Sequence, residues 1–179
     1  MYKEKKNIYF TIALIYWILR MIGLLTMGIL YKNKVQDYGY ITYLLFIIPI
    51  LIVIIKDKSI NNLGFTKEKI KTNLIVSSFI IIITFTISII LGKYSLLELV
   101  KYSLYYLLPI ALIEEMLYRG FIQNYLFGLR CNKYIIFFIG AVMFSLSHIP
   151  FQMYVHDNVS FSYIIQALPQ LMFTFVFHF

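Results

Sequence analysis

Apolar positions in this chain come in blocks, not in the interrupted stripes of a water-soluble helix. Six apolar runs, near residues 8–30, 40–55, 74–91, 101–122, 134–149 and 160–179, are separated by short segments that hold most of the charge. Runs of about twenty apolar residues can cross a hydrocarbon core of roughly 30 Å. The pattern predicts an all-α fold, a polytopic membrane helix bundle of about six transmembrane helices. Lys3-Glu4-Lys5-Lys6 ahead of the first run resembles the n-region of a signal peptide. The run that follows is too long for an h-region and carries no small-X-small cleavage site, so it reads as an uncleaved span. Between the second and third runs, Leu63 to Lys71 reads as a short basic interfacial helix with Thr66 as its N-cap. The last run stops at Phe179 without the polar flank that anchors a span at the interface, which predicts a chain cut short.

Composition agrees with the pattern. With 61% hydrophobic and 13% charged residues, the chain has too little polar surface to clothe a soluble domain of its 179 residues. The net charge of +8 raises the question of nucleic acid, but the basic residues form no face for a duplex. They sit in loops, where they meet lipid headgroups and set topology. Lys3, Lys5, Lys6, Lys56, Lys58, Lys67, Lys69, Lys71, Arg130 and Lys133 fall on the side of the N-terminus; Lys32, Lys34, Lys93 and Lys101 fall opposite. Ten against four predicts a cytoplasmic N-terminus. The single cysteine, Cys131, excludes an intrachain disulfide and CxxC metal chemistry. Frequent Ile, Lys, Asn, Tyr and Phe with little Ala point to an AT-rich genome, as in low-GC bacteria.

Four ionisable residues lie inside apolar runs: Arg20, Glu114, Glu115 and Arg119. Each costs roughly 2.5–3.5 kcal/mol on insertion scales, so such groups face a cavity or a partner and mark function. Glu115 and Arg119 are four apart and can pair along one helix face. Glu114 is rotated about 100° from Glu115, in line with Tyr118, and stays free to act as a general base. Both acids could instead simply tie helices together. Arg20 has no acid in its own run and is expected to face the Glu114–Glu115 cavity.

The next run supplies a complement. Phe144 and His148 are four apart, so the ring can pack beside the imidazole. Glu114 lies 17 residues before Cys131 and His148 lies 17 after it. A hairpin turning near Cys131 therefore places both at one depth, able to hold a water between them. Pro109 and Pro150 each remove a helix hydrogen bond close to these residues, predicting kinks.

Glu114-Glu115-Met116-Leu117-Tyr118-Arg119-Gly120 followed by Phe144-X-X-X-His148 resembles the motif pair of the CAAX protease and bacteriocin-processing (CPBP, or Abi) family of intramembrane proteases. The resemblance runs from about Leu104 to Phe179 and divides the chain into N-terminal transmembrane helices, 1–100, and a catalytic core, 101–179. It implies that Glu114 is the catalytic glutamate that activates water with help from His148, and that Glu115, Arg119 and Phe144 shape the site. It implies peptide-bond hydrolysis near the bilayer, on a prenylated protein or a peptide, in CAAX-type processing or in bacteriocin maturation and self-immunity. The alternative is a non-catalytic immunity or adaptor protein on the same scaffold; a small transporter would need a polar file that only Arg20 begins to supply. The family's third motif, a late His with Asn four residues on, has no counterpart: His178 is the only late histidine and reads as a span residue. Glu114 and His148 are too few ligands for a catalytic zinc, which takes three from protein, so no metal or other cofactor is expected.

Overall fold

The computed structural model describes residues 7–63, 70–92, 95–106 and 112–178, and among them every regular element is helical. In chain order these are α1 (Asn7–Lys32), α2 (Tyr40–Ile52), a π-helical turn (Val53–Asp57), a 3₁₀ turn (Ile60–Leu63), α3 (Ile70–Ile90) and α4 (Leu96–Tyr106). A π-helical segment (Glu115–Ile122) then runs into α5 (Gln123–Leu126), followed by α6 (Lys133–Ser147), α7 (Ile149–Val155) and α8 (Phe161–His178). The expected interfacial helix started by Thr66 and the kink at Pro109 lie outside the described residues.

Helix α1 shows what solvent this surface is built for. Its inward face carries Ala13, Tyr16, Arg20, Leu24 and Gly28. Ile15, Ile18, Leu19, Ile22, Leu25 and Ile29 are exposed on the other side. An interior more polar than the surface inverts the rule for a water-soluble helix and fits hydrocarbon outside. Among the described residues three helices, Asn7–Lys32, Tyr40–Asp57 and Lys133–Val155, are long and apolar enough to cross a membrane. The core joins Ala13 and Tyr16 of α1, Val53, Leu117, Phe121, Tyr125 and Ile136 into one cluster.

Polar contacts collect at the two ends of the bundle. At one end, the Tyr125 hydroxyl donates to Asp57 at 2.8 Å, the Tyr9 ring packs edge-on against Tyr125, and the Lys56 ammonium sits over Tyr9. At the other, Lys32 pairs with Asp157 at 3.3 Å. The chain therefore turns at consistent ends, with residues 57 and 125 on one side and 32 and 157 on the other.

Two boundaries differ from the apolar pattern. The fourth helix begins at Leu96 rather than 101, because Ser95 and Glu98 form a capping box. Glu98 Oε2 accepts from the Ser95 N–H at 2.8 Å, and the Ser95 hydroxyl accepts from the Glu98 N–H at 3.3 Å. The fifth run does not end at 149. Helix α6, capped by Asn132 accepting from the Tyr134 N–H at 2.9 Å, breaks at His148 and resumes as α7 to Val155. Pro150 sits in the first turn of α7, where its missing N–H costs nothing.

Gly120 makes the tightest backbone approach of the π segment: a Cβ there would overlap the backbone carbonyl of Leu63. A carbonyl cannot swing aside as a side chain can, so Gly120→Ala must push two elements apart. We expect a loss of about 1–3 kcal/mol, as for other overpacked sites, read as a lower thermal midpoint in detergent. An unchanged midpoint would show that the two backbones are not in contact.

Candidate active site

The residues singled out in the sequence come from two consecutive helical segments. Glu114 enters the π-helical segment, in which the Gln123 N–H bonds the Tyr118 carbonyl five residues back. The 100° step of an α-helix therefore does not hold here. Wider turns of this kind recur where helices carry functional groups, because they re-aim side chains without ending the helix. Glu115 and Arg119 remain within reach, with Oε2 and Nη1 3.2 Å apart, and the pair is about half exposed. Tyr118 turns inward and is buried.

His148 stands at the break between α6 and α7, its own N–H bonded to the Ser145 carbonyl at 3.2 Å. The imidazole is fixed from one side. Nδ1 lies 3.0 Å from the Phe144 carbonyl, and the Phe144 ring meets it edge to face at a 4.9 Å centroid separation. A carbonyl only accepts, so Nδ1 carries the proton and, in the neutral ring, Nε2 presents its lone pair. That nitrogen lies 3.8 Å from Glu114 Oε1. The spacing is too long for a direct hydrogen bond and leaves both acceptors open to a shared partner. Both side chains are partly open, Glu114 at 32% and His148 at 28%. A reactant could reach them.

Behind the pair, Arg20 is buried with only 5% exposure. It lies on the inner side of the site, close enough to Glu114 to act on its charge, as expected of a residue facing the Glu114–Glu115 cavity, but its direct partner is a hydroxyl. Its Nε donates to the Tyr118 hydroxyl at 2.9 Å, and Arg119 is the cation beside Glu115. The Tyr118 ring packs edge-on against Phe144, 4.9 Å between centroids. Sequence reasoning placed Tyr118 in line with Glu114 without giving it a task, and it passed over Trp17. The Trp17 indole N–H donates to the Met143 carbonyl at 2.9 Å, tying α1 to α6 one residue before Phe144. The one signal was that Trp17 is the chain's single tryptophan, three residues before the buried charge.

Among the described residues no group of three His, Cys, Asp or Glu side chains could hold a metal ion. Glu114 and His148 together fall one ligand short of the usual catalytic zinc set.

The described residues thus form an all-helical integral membrane protein in which a carboxylate and an imidazole converge from two consecutive helical segments. Residues 96–179 match the family described as Type II CAAX prenyl endopeptidase Rce1-like. The match covers a little under half of the chain and agrees with the resemblance of the motif pair to CAAX proteases. No curated protein and no solved structure gives a significant match.

Proposed function

We propose that this protein is an intramembrane endopeptidase in which Glu114 and His148 jointly activate a water molecule. The observation that carries the reading is the open 3.8 Å gap between Glu114 Oε1 and His148 Nε2, with Nδ1 already committed to the Phe144 carbonyl. A water in that gap donates one O–H to each acceptor and turns its lone pairs outward. As it attacks a peptide carbonyl carbon, Glu114 takes a proton, the carbonyl π bond opens to an oxyanion, and a tetrahedral intermediate forms. Return of a proton to the leaving nitrogen breaks the C–N bond and releases an amine and a carboxylate. Glu115 with Arg119 shapes the helix carrying the base, and Phe144 holds the acceptor ring. The family kind favours a peptide or prenylated protein as substrate, with residues 101–179 as the catalytic core and bacteriocin or immunity peptides as further candidates.

The test uses the protein in lipid vesicles with a farnesylated CAAX-type peptide, read by mass spectrometry. Cleavage that requires both Glu114 and His148 supports the reading. Cleavage that continues in the Glu114→Ala, His148→Ala double variant sinks it. Protection or partner binding that survives the double substitution would favour an adaptor role.

The distribution of basic residues further supports a multi-pass protein of a bacterial cell membrane, with the end containing Asp57 and Tyr125 in the cytoplasm. A membrane-impermeant maleimide should then label the native Cys131 only in opened cells. Val159→Cys in a Cys131→Ser background should label in intact cells. The opposite pattern would invert the assigned orientation.

A further inference from the structure

Helix α1 lies outside the segment that matches the protease family, yet it holds the site from behind. Arg20 is its puzzle. A guanidinium that is 5% exposed is costly to desolvate, and its Nη1 has no hydrogen-bond partner among the described residues. Among the same residues no carboxylate forms an ion pair with it, although Glu114 is near enough to act on its charge. An apolar residue of similar volume would avoid that cost, so stability alone does not account for an arginine here.

What Arg20 does touch leads in short steps to the imidazole. Its Nε fixes the Tyr118 hydroxyl at 2.9 Å, and its guanidinium carbon lies 5.3 Å from the centre of the same ring. That ring packs edge-on against Phe144, and Phe144 holds His148 with both its ring and its carbonyl. Three residues before Arg20 on the same helix, Trp17 grips the α6 backbone at Met143. Burial leaves these groups little room to adjust, and a planar guanidinium held through its Nε is stiffer than a flexible ammonium.

We propose that Arg20 is a positioning residue: through Tyr118 and Phe144 it sets the orientation of the His148 imidazole toward Glu114. The consequence for turnover rests on the protease reading above, whereas the consequence for the ring does not. The two can be tested separately.

The experiment compares Arg20→Gln, Arg20→Lys, Tyr118→Phe and the Arg20→Gln, Tyr118→Phe double variant in detergent micelles and in vesicles. The ¹⁵N resonances of the His148 ring, assigned by their loss in His148→Gln, report its orientation without any substrate. Arg20→Gln and Tyr118→Phe should move both ring resonances in the same direction, and the double variant should match the stronger single. In the cleavage assay, kcat should fall about 10–100-fold with KM within twofold, again without multiplication in the double variant. Arg20→Lys keeps the charge but not the planar guanidinium whose Nε holds the hydroxyl, and should restore little. His148 resonances unmoved by Arg20→Gln and Tyr118→Phe would overturn the proposal, as would full rescue by lysine or independent, multiplying losses. Should Arg20→Gln fail to fold, Tyr118→Phe compared with Ser147→Ala decides, since the Tyr118 hydroxyl that Arg20 holds also meets Ser147: ring resonances that move in Tyr118→Phe but not in Ser147→Ala support the proposal, and resonances that move equally in both overturn it. Moved resonances in a protein that cleaves no peptide would retain the positioning role and reject the protease reading.

Discussion

Glu114→Gln should lower turnover by about 10³-fold while leaving KM and the thermal midpoint nearly unchanged. The amide keeps the shape of the carboxylate and can still hydrogen-bond a water across from His148. It cannot take up the proton that the attacking water must lose. General acid–base groups contribute roughly 10²–10⁴-fold, and a proposed primary base belongs in the upper part of that range. The neighbouring carboxylate is no substitute: Glu115 Oε2 lies 3.2 Å from the Arg119 guanidinium, not in the gap facing Nε2. The expected contrast is therefore sharp between adjacent positions, with Glu115→Gln losing far less. Measured kcat values for the two amides decide it. Equal losses at 114 and 115 would mean that the acids act together in structure rather than separately in chemistry.

His148→Ala should cost about 10²–10³-fold, for a different reason. It removes the second acceptor from the water and leaves Glu114 to orient it alone. It also empties a space against Phe144 that was filled edge to face. Glutamine is the informative control. Its carbonyl oxygen can accept near the position of Nε2, but it cannot pass a proton onward, so His148→Gln should recover only part of the loss. Because the two groups serve one water, the Glu114→Gln, His148→Ala double variant should be no slower than the poorer single. Losses that multiply would mean that the residues act in separate steps. A pair joined by 3.8 Å and no direct hydrogen bond is well suited to this test, since removing one partner does not collapse the other.

The candidate site residues stood out because charge is expensive inside an apolar run. Glu114, Glu115, Arg119 and His148 were conspicuous against Leu, Ile and Phe neighbours, and the equal spacing of Glu114 and His148 from Cys131 brought their two helical segments into register. The Phe144–His148 contact was also readable, since four residues within one α-helix share a face. The same reasoning misplaced the start of α4, where Ser95 and Glu98 carry a capping signal that hydropathy does not weigh. It also ended the fifth crossing at the His148–Pro150 break, although α7 continues to Val155.

By itself, then, the sequence determined the class of fold, the apolar runs and the short roster of groups able to do chemistry, because each of these depends on transfer between water and hydrocarbon, which is a local property. Only the tertiary structure decided that Glu114 stands at the start of a π-helical segment, that Arg20 bonds a tyrosine hydroxyl directly and meets Glu114 only through its charge, and that α1 braces the candidate site through Trp17 and Arg20. Those outcomes depend on which faces meet once helices pack, and a hydrogen bond between residues 98 positions apart leaves no periodic trace along the chain.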